Sequence, residues 1–140
     1  MSILLGEAAA PLFMAGFQAT AKLYIGAATR AETWLAAFNA KGLGGAQLVE
    51  TLLVALQMET VDVTQGTLPQ FIDGARAHHH KVDSKARLNL GDLLTYALAR
   101  EMNLPLFFQG TDFTNTTIEN AMVQLGYPLS DKGVPLPRQD

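Results

Sequence analysis

The hydrophobic and polar positions of this chain alternate between two periods, one helical and one of short apolar runs. Residues 2 to about 20 form an Ala-rich helical stretch in two pieces, broken between Glu7 and Pro11, where proline suits a first helical turn. Lys22–Ala28 (KLYIGAA) is a short apolar run that predicts a buried strand. Thr29 opens a helix through Trp34, Leu35 and Phe38 that stops at Lys41-Gly42. A further helix is expected over about Gly45–Gln57, with Leu48, Leu52, Leu53 and Leu56 on one face. Thr60–Val63 is a strand candidate, and about Leu68–His78 returns to helix. Lys81–Arg87 is a polar connection. Asn89 then starts the clearest helix, with Leu90, Leu93, Leu94, Ala97 and Leu98 making one apolar stripe. Pro105–Gln109 (PLFFQ) predicts a buried strand and Thr116–Leu125 a last helix. The tail from Gly126, with Pro128, Pro135 and Pro137, is expected to be irregular and mobile.

Strands separated by helices imply crossover connections, a parallel sheet and an α/β fold. The chain of 140 residues fits one domain, read as residues 1–125 with an irregular tail over 126–140. Its hydrophobic share of 49% is that of a globular protein with its own core. The absence of cysteine removes thiol catalysis, zinc knuckles and disulfide frameworks together. No basic segment precedes the apolar opening, and Glu7 interrupts it well short of the ~18 apolar residues of a membrane span. A cytoplasmic protein is therefore expected, with no membrane partner. The net charge of −3 gives no overall attraction for nucleic acid, so any such contact needs a local basic patch.

Several familiar chemistries lack their residues. There is no G-x-S-x-G elbow for a serine hydrolase. Gly42-Leu43-Gly44-Gly45 follows a helix and lacks G-K-[ST], so it reads as a helix stop and turn rather than a phosphate loop. His78-His79-His80 are consecutive, about 100° apart around a helix, and cannot converge on one ion as an i, i+4 pair would. Arg76, Lys81, Lys85 and Arg87 gather four of the ten Lys and Arg residues within twelve positions. That cluster suits a phosphate backbone, or is an ordinary charged loop.

Three carboxylates carry the sharper expectation. Glu32 is expected in the first turn of the helix after the Lys22–Ala28 strand, and Asp92 in the first turn of the helix starting at Asn89. Asp112 lies just beyond the Pro105–Gln109 strand, in Gly110-Thr111-Asp112-Phe113. Positions past strand ends and at helix starts gather along one edge of an open parallel sheet, where ligands bind. Three acids there would make a hard-oxygen site for Mg²⁺ or Mn²⁺. The plainer alternative is helix capping: Thr29-x-x-Glu32 is a capping box and Asn89-x-x-Asp92 resembles one.

The run beginning at Leu88, LNLGDLLTYALAREMNLPLFFQGTDF, resembles the core signature of PIN-domain ribonucleases, in particular VapC-type toxins of toxin–antitoxin pairs. Ile3–Glu7 (ILLGE) resembles the family's first helix, and AATRAETW places Glu32 at the family's acidic position. The resemblance implies a three-layer α/β/α fold around a parallel sheet. Members open with a strand ending in an Asp, central in that sheet, and by this alignment the strand is absent from the chain, which starts at the first helix. Glu32, Asp92 and Asp112 would hold Mg²⁺ or Mn²⁺ for hydrolysis of an RNA phosphodiester. Asn89 and Thr111 would position them, while Thr117 stands where members often carry a further Asp. Arg76, Lys81, Lys85 and Arg87 would seat RNA, of the transfer or ribosomal class. A cognate antitoxin is implied as partner, with Ile3–Phe17 in its docking surface or simply in the core, and a homodimer as the assembly. The contrasting expectation is an inactive PIN domain kept as a binding module for antitoxin or RNA.

Overall fold

The computed structural model describes residues 9–79, 88–114 and 116–139. The chain divides into two compact units, one ending at Asp62 and the other beginning at Val63, and each is described by itself.

In the first unit, α1 (Ala10–Gln18) has Pro11 in its opening turn and buries Phe13 and Gly16. The expected helical piece before it lies outside the described residues. The chain then enters β1 (Tyr24–Gly26), which pairs in parallel with β2 (Glu59–Val61) in the register Tyr24 to Glu59, Ile25 to Thr60 and Gly26 to Val61. Between them runs α2 (Ala27–Ala55), a helix broken at Lys41 and Gly42, whose φ of 66° leaves the helical region. The glycine stop therefore stands where the sequence put it. The start does not: α2 begins at Ala27 with Gly26 as its cap, two residues before Thr29.

The two halves of α2 fold onto each other closely. A Cβ at Gly45 would lie 2.7 Å from both the Ala37 carbonyl oxygen and the Lys41 Cβ, so only glycine fits this approach. Ala37 on one half and Val49 and Leu53 on the other form the core, with Ile25 and Met58 packed against it. The inward face is thus Ala46, Val49 and Leu53; Leu48 is exposed, against expectation. Small residues at Ala37 and Ala46 let the halves approach, and that contact selects the buried face over the run of leucines. Arg30 ties the arrangement together, bonding Glu50 across the break and the Thr60 hydroxyl on β2 at 2.7 Å.

The second unit opens with a 3₁₀ turn, Gln65–Thr67, closed by a Thr64–Thr67 capping box around the fully buried Thr67. Helix α3 (Leu68–His78) follows with the expected bounds and Pro69 in its first turn. Helix α4 (Leu90–Met102) runs from its Asn89 cap to Asn103, whose left-handed φ of 54° ends it. The two helices pack so tightly that a Cβ at Gly74 would fall 2.7 Å from the Tyr96 ring. Leu88, Leu93, Tyr96, Ala99, Phe113 and Ile118 make the core, joined by Phe71, Ala75, Leu106 and Phe108. Leu90, counted in the predicted stripe, is exposed at the helix start.

The Pro105–Gln109 strand is reduced to a single parallel bridge between Leu106 and Asn120. Neighbouring backbone groups find other partners: the Asn120 side-chain amide donates to the Phe108 carbonyl, and the Gly110 N–H donates to the Gly133 carbonyl. The last helix shrinks to α5 (Ala121–Gln124). Thr116 bonds the Phe113 carbonyl and the Ile118 N–H through its hydroxyl, and Asn120 caps Met122 and Val123. Such local side-chain bonds compete with a helix start at Thr116. The tail is irregular but anchored: Tyr127, Gly133 and Pro135 are buried, and Leu129 bridges to Pro135 in an antiparallel turn. No helix among the described residues is long and apolar enough to cross a membrane.

Candidate metal centre

Helix α4 brings Asp92 to its site through its own cap. Asn89 has extended backbone, and its side-chain oxygen accepts the Asp92 N–H at 2.9 Å. Asp92 Oδ2 returns the favour, accepting the Asn89 N–H at 3.2 Å. This reciprocal box satisfies two of the orphan donors at a helix start and fixes the carboxylate. The capping alternative is therefore real at Asp92, and it does not compete with a site. It consumes one oxygen and aims the residue.

Asp112 sits in the turn after Gly110, with Thr111 accepting the Thr114 N–H at 3.2 Å and Phe113 buried in the core behind it. The Phe108 and Phe113 rings stand 5.2 Å apart, anchoring the loop from beneath. Asp112 itself is exposed. Its charge reaches Asp92, whose pKa is raised: partial burial contributes most, the Asn89 N–H opposes it, and the Asp112 carboxylate adds to the rise. Asp92, partly withdrawn from water and facing the charge of a second acid, is a donor that a hard divalent cation would relieve.

Glu32 belongs to the other unit. It lies in the second turn of α2, exposed, since the helix begins at Ala27 and has no acid in its first turn. The Thr29-x-x-Glu32 capping box is thereby corrected: Gly26 holds the cap position and makes no side-chain cap bond. Among the described residues no group of three or more His, Cys, Asp or Glu gathers as a metal cluster. Asp92 and Asp112 are the two predicted acids that the structure brings together.

The remaining predicted residues divide cleanly. Arg76 is exposed in the last turn of α3, whereas Lys81, Lys85 and Arg87 lie outside the described residues. His78 meets the Tyr96 ring edge-on at 5.5 Å, and burial lowers its pKa. His79 caps α3 and bridges to Leu88, so these two histidines serve the helix end. Thr117, at the position of the further acid, accepts a hydrogen bond from Arg100 at 2.8 Å. The sequence reading missed Arg100, which stands seventeen residues before its partner and shares no local pattern with it. It also missed Gly133, although Asp131-Lys132-Gly133 is a turn signal in plain view.

A model of the PIN-domain family matches residues 5–119. The chain belongs to the PIN-domain family. Its fold is accordingly the PIN-like α/β/α class, as the resemblance implied, and the parallel β1–β2 pair with its helical crossover accords with that. Among curated proteins, the chain is similar to a VapC ribonuclease of Mycobacterium bovis and to one of Mycobacterium tuberculosis. Each is 42% identical over 79 residues, covering 54% of this chain and 57% of the relative. A VapC ribonuclease of Rhizobium meliloti is 32% identical over 72 residues, covering 51% of each. The chain thus spans a little over half the length of the curated relatives it matches. The VapC branch is the part of the PIN family that these relatives represent.

Proposed function

We propose that this PIN domain is an endoribonuclease of the VapC type, hydrolysing RNA phosphodiester bonds with Mg²⁺ or Mn²⁺ held by Asp92 and Asp112. The observation that carries this reading is the Asp92–Asp112 pair, in which partial burial and then the Asp112 charge raise the Asp92 pKa. Within one unit these are the carboxylates that a divalent cation would satisfy, and the relatives' names supply the reaction class. Glu32, on α2 of the other unit, is the further acid that the family resemblance names, and residues 1–125 are the stretch that the resemblance reads as one domain.

Bound at these acids, the cation would act as a Lewis acid that acidifies water and offsets phosphate charge. The chain's own residues do the rest. Asn89 locks Asp92 through the capping box, so the carboxylate needs no reorganisation to serve as a ligand. Thr111 and the Phe113 anchor hold the turn that presents Asp112. Arg76, with Lys81, Lys85 and Arg87, would draw the phosphate backbone by charge, a contact that weakens with salt. A cognate antitoxin, a homodimer and a cytoplasmic setting complete the proposal.

The second reading, an inactive PIN domain retained as a binding module, is favoured by one observation: at the further acid position Thr117 is engaged by Arg100. A cleavage assay separates the two. Purified protein incubated with a mixture of transfer and ribosomal RNA should cut it in Mn²⁺ or Mg²⁺, stop on chelation and resume when the metal is restored. Asp92→Asn should lose about 100-fold or more of that activity, at least what the loss of a residue supporting a metal ligand costs. RNA left intact by a folded wild-type protein in either metal would favour the binding module.

A further inference from the structure

The turn that carries Asp112 is propped by the C-terminal tail. Gly110, two residues before Asp112, donates its N–H to the Gly133 carbonyl at 3.0 Å. Gly133 has a φ of +71° and is buried. A Cβ there would lie 2.7 Å from the Gly110 carbonyl carbon and overlap its oxygen. Backbone therefore rests on backbone, at a distance only glycine allows. The supporting turn is itself built with care. Ser130 accepts the Gly133 N–H on its carbonyl and the Lys132 and Val134 N–H groups on its hydroxyl. The Leu129–Pro135 bridge closes it, and the Leu136 N–H bonds the Pro128 carbonyl at 2.8 Å. At the end of the tail, Arg138 lies over the Tyr127 ring at 5.1 Å.

The geometry points to Gly133 as a positioning residue for Asp112: the turn Leu129–Pro135 holds Gly110, and through it the acid, in place. The inference rests on the proposed metal role of Asp112 but adds a part that the family match does not contain, because the match ends at residue 119 and the prop begins ten residues later. The tail is then a structural member of the site, and shortening the chain before Leu129 removes it. Gly110 itself has a φ of +92°, a conformation open to glycine and strained for any other residue.

The test compares Gly133→Ala and the milder Ser130→Ala with the wild type, and uses Met122→Ala as a destabilised control in the buried core of the same unit. Met122 is fully buried and outside the prop. Two readouts are taken on metal-free and Mn²⁺-titrated protein. Amide hydrogen exchange at residues 110–113 should speed at least tenfold in Gly133→Ala and about threefold in Ser130→Ala, while amides of Leu93–Leu98 stay protected. Mn²⁺ affinity, read from free Mn²⁺ by electron paramagnetic resonance, should fall in the same order, by about tenfold in Gly133→Ala. Met122→Ala should lower the melting temperature without a selective change at 110–113. Unchanged exchange at 110–113 in Gly133→Ala, or a change equalled by Met122→Ala, overturns the inference. Should Gly133→Ala fail to fold, Ser130→Ala decides by the same two criteria. Wild-type protein that binds no Mn²⁺ would defeat the metal reading alone, and the exchange data would still judge the prop.

Discussion

At Asp92 one carboxylate oxygen closes the cap of α4 while the group as a whole is pushed toward its protonated form by burial and by Asp112. The same residue thus serves helix and site, and the two roles can be separated by mutation. Asn89→Ala removes the oxygen that accepts the Asp92 N–H and should cost about 1 kcal/mol of stability. For a unit of this size that corresponds to roughly 4–8 °C in melting temperature, measurable by circular dichroism. His78 offers a second check at this scale. Burial lowers its folded pKa below the ordinary value of 6.5, so the unfolded chain binds the proton more readily. Its contribution to stability is therefore present above pH 6.5 and is lost as the pH falls through the folded value. Replacing it by Phe should flatten the decline in denaturant midpoint between about pH 6.5 and 5 relative to the wild type. An equal slope in both proteins would show that His78 takes no part. The position of Asp92 at the start of α4 was legible because a helix-cap motif fixes it by a local rule, whereas Asp112 was placed by a strand that the structure reduces to a single bridge. The reach of the Asp112 charge to Asp92 was not legible, since no local rule brings positions twenty apart together.

Elements with strong punctuation appeared where the sequence placed them. Helix α3 runs from Leu68 with Pro69 in its first turn, and α4 follows its Asn89 box and ends at Asn103. Elements without such signals moved. The α2 start shifted to Ala27 because Gly26, leaving β1 with extended backbone, already supplies the turn into the helix, and Thr29 then falls inside it. Pro105–Gln109 has the composition of a strand, yet Leu106 makes a single bridge to Asn120, whose side chain takes the Phe108 carbonyl that a ladder would use. Strand formation depends on a partner, and composition does not announce one. The break in α2 gives a test at this scale. Gly45→Ala would press a methyl group into the Ala37 carbonyl and the Lys41 side chain, so the two halves must part. Overpacking of this kind costs about 1–3 kcal/mol. Urea unfolding should show that loss, whereas Gly44→Ala, with open space at its Cβ, should not.

The molecule joins a family match over most of its chain to a proposed site of which two acids, Asp92 and Asp112, lie in one unit. Its acidic balance, with thirteen Asp and Glu against ten Lys and Arg, makes the local basic residues the proposed route to RNA. Cleavage should accordingly weaken with salt, and Arg76→Ala should lower both the rate at low salt and its steepness of decline with added salt. The family and its fold class were accessible from residues 88–113, because that run combines a cap, an amphipathic helix and a turn in fixed order. The tail's part was hidden, because the approach of Gly133 to Gly110 is made by backbone atoms across more than twenty residues. What the whole account depends on is that the Asp92–Asp112 pair takes a divalent cation. Mn²⁺ titration of the purified protein, followed by electron paramagnetic resonance, tests this directly. The expected result is saturable binding that either Asp92→Asn or Asp112→Asn weakens by about 100-fold or more with the fold intact. Binding that both substitutions leave unchanged, or a folded wild-type protein with none, would contradict it.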